Sequence, residues 1–356
     1  MILPEYKSFE DKAEFFECKK IETFEEFLKI VEDEKLKRDR FYRGVNSGSF
    51  KMFTSFQREY TKKLGETVIK NIANEDFMGL LLHHLQKDPM IQSEFKKIKN
   101  EKKIGYEEWV DLEWNYLTFI FSNLQHYGGI SPFLDITDDI LKATYFAFKD
   151  VKTQNTDIAA SLPDNPETYA SVLVFEKQQY ENKILDYGTP NSEEIEDMKT
   201  VPKCYSDSSL HFIRMQYVES LNNLSNGQIC QIKRDNYFTN ENIIAQDGHF
   251  LFRSIYNIDK PFEESKLQYN PGGKILSFEI SKNLEQKIKQ YLTEKKITKE
   301  TMEYESGKSY LGVVELVSEF FIKYAETYNI HYGDREKTQT EFDKFIKTKT
   351  TCQHLN

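Results

Sequence analysis

Lys274-Ile275-Leu276-Ser277-Phe278-Glu279-Ile280-Ser281 (residues 274–281) alternates strictly, with Leu276, Phe278 and Ile280 set against Ser277, Glu279 and Ser281. Successive side chains of a strand point to opposite faces, so this period of two predicts a strand with one apolar side. Tyr169 to Phe175 reads as a second strand, and further strands are expected near 229–233 and 249–256. Phe41-Tyr42-Arg43-Gly44, short and aromatic, suits a strand that ends at its glycine. Helical patterns lie between these runs. Phe24, Phe27, Leu28 and Val31 fall at helical spacing over Phe24–Leu36, and Thr23 with Glu26 has the pattern of a capping box. Val68, Ile72, Phe77 and Leu81 form an apolar stripe within 60–105, and Trp114, Leu117, Phe121 and Leu124 form another that Gly128-Gly129 stops. Ile140 to Phe148 is apolar nearly all round, as in a buried helix, and Thr137 or Asp138 is placed to cap it. Helices are also expected at about 282–293 and 309–328.

Short strands among long helices give an α+β fold with a mixed or antiparallel sheet and long helical insertions. The regular βα alternation of a doubly wound fold is missing, and neither GxGxxG nor GxxxxGK[ST] occurs, so neither common nucleotide fingerprint is indicated. At 356 residues the chain exceeds the ~250–300 at which one core usually stops growing. A single large domain over 39–325 is therefore expected, with an N-terminal helical extension (1–38) and a C-terminal tail (326–356).

The aromatic fraction of 14%, from 27 Phe and 21 Tyr, supplies the rings for a sizeable core. A formal net charge of −10 disfavours broad electrostatic binding of nucleic acid. The local run Lys96, Lys97, Lys99, Lys102 and Lys103 reads as a solvated helix end. The four Cys form no CxxC pair, and His83-His84 has no third ligand at metal spacing, so no metal or disulfide framework is expected. No basic leader followed by an apolar stretch is present, and no run of ~18 apolar residues, so no membrane partner is expected and the cytoplasm is the expected compartment.

Three segments carry chemistry. Phe41-Tyr42-Arg43-Gly44 is followed by Ser55 and Arg58; Gln125-His126-Tyr127-Gly128 leads to Leu134-Asp135-Ile136-Thr137; and Ala245-Gln246-Asp247-Gly248-His249-Phe250 comes later. In this order the segments resemble the FRG domain family over about residues 40–320, which makes 39–325 an FRG-like domain. Two departures stand out. Ile130-Ser131-Pro132 occupies the place of the family's Pro-Thr-Arg, losing an arginine, and Ile136 stands where Trp is usual.

Residue by residue, each candidate has a functional and a structural reading. Arg43 can make bidentate bonds to phosphate or carboxylate, with Gly44 letting a ligand approach the backbone, or it can sit in an ion pair with Asp135. His126 can bond a ribose hydroxyl or act as acid or base, or it can bond carbonyls at a helix end. Asp135 can cap the next helix, orient His126 or pair with Arg43. Gln246 can contact a ligand through its amide or satisfy backbone groups.

A second resemblance, to arginine-type ADP-ribosyltransferases, rests on Tyr42-Arg43-Gly44, on Thr54-Ser55 as a counterpart of their Ser-containing strand, and on Glu303 and Glu305 as an E-x-E pair. It implies NAD as substrate, with Arg43 holding the dinucleotide, Ser55 beside it and Tyr127 stacking on the nicotinamide. A carboxylate would then stabilise the oxocarbenium-like centre. Glu303 and Glu305 read more readily as a solvated loop than as catalytic groups. The function implied is NAD binding by an ADP-ribosyltransferase or NAD glycohydrolase, of a kind suited to a bacterial toxin or phage-defence effector. His126, Asp135 and Arg43 would act in catalysis, and no metal is required. The alternatives are a sensor of a nucleotide-like small molecule or an interaction module with a protein partner, and an RNA-binding or RNA-cutting protein.

Overall fold

The computed structural model describes residues 3–55, 57–58, 133–151, 164–176, 230–232, 241–252, 261–264, 274–304, 319–320 and 340–348. Seven strands build one sheet: β1 (Phe16–Ile21), β2 (Arg40–Val45), β3 (Phe133–Thr137), β4 (Tyr169–Glu176), β5 (Cys230–Ile232), β6 (Gly248–Phe252) and β7 (Ile275–Ser281). Their order across the sheet is β1-β7-β4-β2-β3-β6-β5. β1 runs parallel to β7, while the other neighbours pair antiparallel, so the sheet is mixed and the fold α+β.

The described helices are α1 (Phe9–Lys12), α2 (Phe24–Lys35), α3 (Ile140–Phe148), α4 (Glu241–Ala245), α5 (Glu285–Glu294) and α6 (Lys299–Met302). The capping box of α2 forms as its sequence predicts, with Thr23 and Glu26 each bonding the other's backbone N–H. The cap of α3 is Asp139 rather than Thr137 or Asp138: its Oδ1 accepts from Leu141 N at 2.7 Å. Thr137 is already engaged, donating its hydroxyl to Gln246 O at 2.6 Å and accepting from Asp139 N.

The sheet is covered on both faces. One face packs under α2, α3 and α5 through Tyr42, Val172, Val174, Phe278 and Ile280. The other carries Phe41, Leu134, Ile136, Leu173 and Phe175, covered by Tyr6, Met52 and Phe262. Helix α3 lies directly on β2. A Cβ built at Gly44 would stand 1.8 Å from Ala143 O and 2.7 Å from Ala147 N. Gly44 therefore admits a helix, not a ligand, and Ala143 and Ala147, both fully buried, are small for the same reason.

Within the expected N-terminal helical extension, Phe16–Ile21 forms β1 and joins the sheet. β1 pairs with β7 from Phe16↔Ile275 to Ile21↔Ile280. Its alternating charges suit an edge strand, where charge blocks further pairing. The polar side of β7 is buried as well. Lys12 Nζ reaches Glu279 Oε1 at 2.6 Å, and also donates to Gly48 O and Ser171 Oγ, each at 3.0 Å. Ser171 and Ser277 donate to the two Glu279 oxygens. Two buried charges are tolerable because each is paired and hydrogen-bonded. Within the expected tail, Phe342 and Phe345 of the helical stretch 340–348 are buried, with both rings against Phe320.

The joint between α2 and β2 is ionic. Arg40 Nη1 donates to both Glu34 oxygens at 2.8 Å, and Lys37 Nζ and Tyr42 OH donate to the same carboxylate. Burial alone would raise the Glu34 carboxyl, but the bonds from Lys37 and Arg40 outweigh it and hold the group below its ordinary value of 4.5.

Gly44→Ala is expected to cost about 3 kcal/mol or more in urea unfolding, at the upper end for overpacking, because backbone atoms must move. Glu34 contributes stability that is complete above pH 4.5 and drains as pH falls through its depressed folded value. Glu34→Gln should therefore lower stability at neutral pH and flatten its loss below that point, as read from unfolding midpoints measured across pH.

Candidate functional site

Alternation along β2 sends Tyr42 and Gly44 to the helix face and Phe41, Arg43 and Val45 to the other, as the two core clusters show. The β2–β3 ladder registers at a single pair, Tyr42↔Thr137. Just beyond it, Arg43 Nη1 donates to the backbone O of Asp135 at 2.7 Å. The guanidinium thus satisfies a strand carbonyl that continued pairing would have served.

Although it sits on the central strand of the seven, Arg43 remains a cation. Burial lowers its pKa, the Asp135 carboxylate opposes that and the Arg58 charge adds to it, leaving the group pushed down to about 10. That value still keeps it charged at neutral pH. The residue as a whole is half-buried, yet its Nε has no solvent access and no hydrogen-bond partner among the described residues. The exposure that remains belongs to other atoms, so full burial is the better description of the Nε. A buried donor without a partner costs about 1–3 kcal/mol, which makes Nε the natural place for an incoming acceptor.

The third segment divides between the two faces. Gln246 is buried on the helix side, where its Nε2 donates to Met302 O at 2.8 Å, so its amide serves backbone groups. Three residues later, His249 lies opposite Ile136 on the Arg43 face, its ring 5.0 Å from that of Phe41. His249 Nε2 stands 2.7 Å from Asp138 Oδ2, and its Nδ1 is buried without a partner among the described residues. The sequence reading passed over His249; its signal was the polar ring in a strand-forming run after Gly248. The turn before it is tight: Asp247 adopts φ 44° and is held by Lys142.

Of the other sequence candidates, Asp135 is near enough to Arg43 for its charge to act on it. Ser55 opens a short helical turn and is not in a strand. Thr54 caps that turn by accepting from Gln57 N at 3.2 Å, while Gln57 Oε1 accepts from Thr54 N at 2.9 Å. His126, Tyr127, Glu305 and the lysine run at 96–103 lie outside the described residues.

Glu303 stands on the opposite face of the sheet from Arg43. It accepts from Tyr145 OH at 2.8 Å and Lys149 Nζ at 3.0 Å, in a cleft of about 410 Å³ between α3, α5 and α6. Burial would raise its carboxyl, but these two bonds outweigh it and hold it below its ordinary value. Among the described residues no three His, Cys, Asp or Glu stand together to hold a metal ion, and no helix is long and apolar enough to cross a membrane.

These features describe an α+β protein in which Arg43 and His249 share one face of a mixed sheet. Residues 38–156 match the model of the FRG domain, so the chain carries an FRG domain there, taking in β2, β3 and α3. β1, β4, β5, β6 and β7 complete the same sheet from outside the match. No curated protein and no solved structure matches the chain.

Gln246→Leu should strip Met302 O of its donor and cost about 1–3 kcal/mol in urea unfolding. A reading of Gln246 as a backbone anchor requires that loss. Unchanged stability would return its amide to the list of ligand contacts.

Proposed function

We propose that this FRG-domain protein binds a phosphate-bearing nucleotide, NAD first among candidates, in the site around Arg43, and that it cleaves or transfers the ADP-ribosyl group. The observation that carries the reading is the buried Arg43 guanidinium. It keeps its charge and has a donor unsatisfied at Nε, and the Arg58 charge acts on it unfavourably. A phosphate placed there accepts from the open donor and relieves the repulsion between the two cations.

In this reading Arg43 holds phosphate, with Ser55 close to the chain segment that carries Arg58. His126 bonds a ribose hydroxyl and Tyr127 stacks on the nicotinamide. Asp135 orients Arg43 by accepting from its Nη1 at the backbone carbonyl. When the nicotinamide–ribose bond breaks, the electron pair leaves with nicotinamide, which becomes neutral. Water or an acceptor hydroxyl then forms the new C–O bond and loses its proton. Such an activity suits a toxin or phage-defence effector. Glu303 takes no part in this scheme, since the sheet lies between it and Arg43.

The test is NAD binding by calorimetry together with nicotinamide release, comparing the wild type with Arg43→Lys, Arg43→Ala and His126→Ala. Lysine keeps the charge but loses the fork. Arg43→Lys is expected to weaken binding at least about tenfold, and Arg43→Ala to abolish release, with thermal unfolding confirming that each variant folds. Binding without release in the wild type would identify a sensor. Neither binding nor release would remove the NAD reading altogether.

A further inference from the structure

His249 and Asp138 form a polar pair where β3 ends beside β6. His249 emerges from β6, Asp138 follows the end of β3, and their atoms meet at 2.7 Å. A carboxylate oxygen can only accept, so the contact assigns the proton of the neutral imidazole to Nε2. Nδ1 is then left with a lone pair, and that atom is buried with no partner among the described residues. The His249 side chain is only 13% exposed, and its ring is held against Phe41.

Arg43 and His249 share one face of the sheet, on β2 and β6, with Ile136 of β3 between them. Two strand spacings separate their backbones by roughly 10 Å, and the Arg43 side chain already reaches over β3 to Asp135 O. Among the described residues the face therefore presents a donor without a partner, Arg43 Nε, and an acceptor without one, His249 Nδ1.

We infer that His249, positioned by Asp138, is the proton acceptor of the Arg43 site. The inference rests on the NAD reading above and goes beyond it by naming the base. As the bond between ribose C1′ and the nicotinamide nitrogen breaks, its electron pair leaves with the nicotinamide. The oxygen of water or of an acceptor hydroxyl bonds to C1′, and its proton passes to His249 Nδ1. The imidazolium so formed is stabilised by the Asp138 carboxylate on Nε2, and the proton is returned to solvent after product release. Asp138 acts through the ring: it fixes the tautomer and never touches the substrate.

The experiment measures NAD affinity and single-turnover nicotinamide release for the wild type, His249→Ala, His249→Gln and Asp138→Asn, with thermal unfolding as the folding control. His249→Ala and His249→Gln are expected to bind NAD within about threefold of wild type while release falls about 100-fold or more, the usual weight of a general base. Added imidazole should restore part of the release in His249→Ala, which a merely structural residue would not allow. Asp138→Asn can donate to Nε2, moving the proton to Nδ1, so it should slow release without weakening binding. If the wild type neither binds nor turns over NAD, the parent reading fails and this inference with it. If the wild type is active and folded His249 variants release nicotinamide at wild-type rates, or imidazole rescues nothing, His249 is not the base and the Arg43 reading stands alone. Should His249→Ala fail to fold, His249→Gln and Asp138→Asn decide the matter by the split between binding and release.

Discussion

The contact of helix α3 with the backbone of Gly44 constrains everything around it. Without a Cβ at that position, the Ala143 carbonyl lies almost on the strand, and α3 becomes a rigid lid over the middle of the sheet. β2 is thereby fixed from one side, so that Tyr42 enters the helix-side core and the residues before and after it face the other way. Arg43 is delivered to a buried position by this geometry and not by any ion pair of its own. A cation that would prefer water is held against a strand carbonyl because its neighbour Gly44 is clamped by a helix.

Much of the architecture is legible in the sequence where hydrophobic period and cap chemistry agree. The alternation at 275–281, the apolar run at 169–175, the capping box at Thr23 and Glu26 and the all-round apolar stretch at 140–148 each appear as elements close to their expected limits. The illegible parts have physical reasons. β1 is rich in Lys and Glu because it lies at an edge, and such a strand carries no apolar alternation to read. The polar side of β7 looks solvent-facing until Lys12, from a distant helix, supplies a partner for Glu279. The cap of α3 is displaced by one residue because Thr137 is drawn away to the carbonyl of Gln246.

The candidate site shows the same limits. Arg43 is readable as a cation at a strand, yet its bond to the Asp135 carbonyl depends on where the β2–β3 ladder stops, which no spacing in the sequence reveals. The segment from Ala245 to Phe250 reads as one motif, but the chain reverses at Asp247 and divides its work. Gln246 faces the helix side and binds backbone; His249 lies on the same face as Arg43. A single line of sequence thus places an amide on one side of the sheet and an imidazole on the other.

The parallel pairing of β1 with β7 has a consequence for how the molecule is made. Phe16 cannot meet Ile275, nor Lys12 meet Glu279, until β7 has emerged from the ribosome. During synthesis β1 must wait, and its charged residues keep it dissolved while it does so. The completed sheet is therefore closed late by a contact of very high sequence separation, with a loop-closure cost that local helices such as α2 never face. The charge that hides β1 from the reader of the sequence is also what protects the nascent chain until its partner arrives.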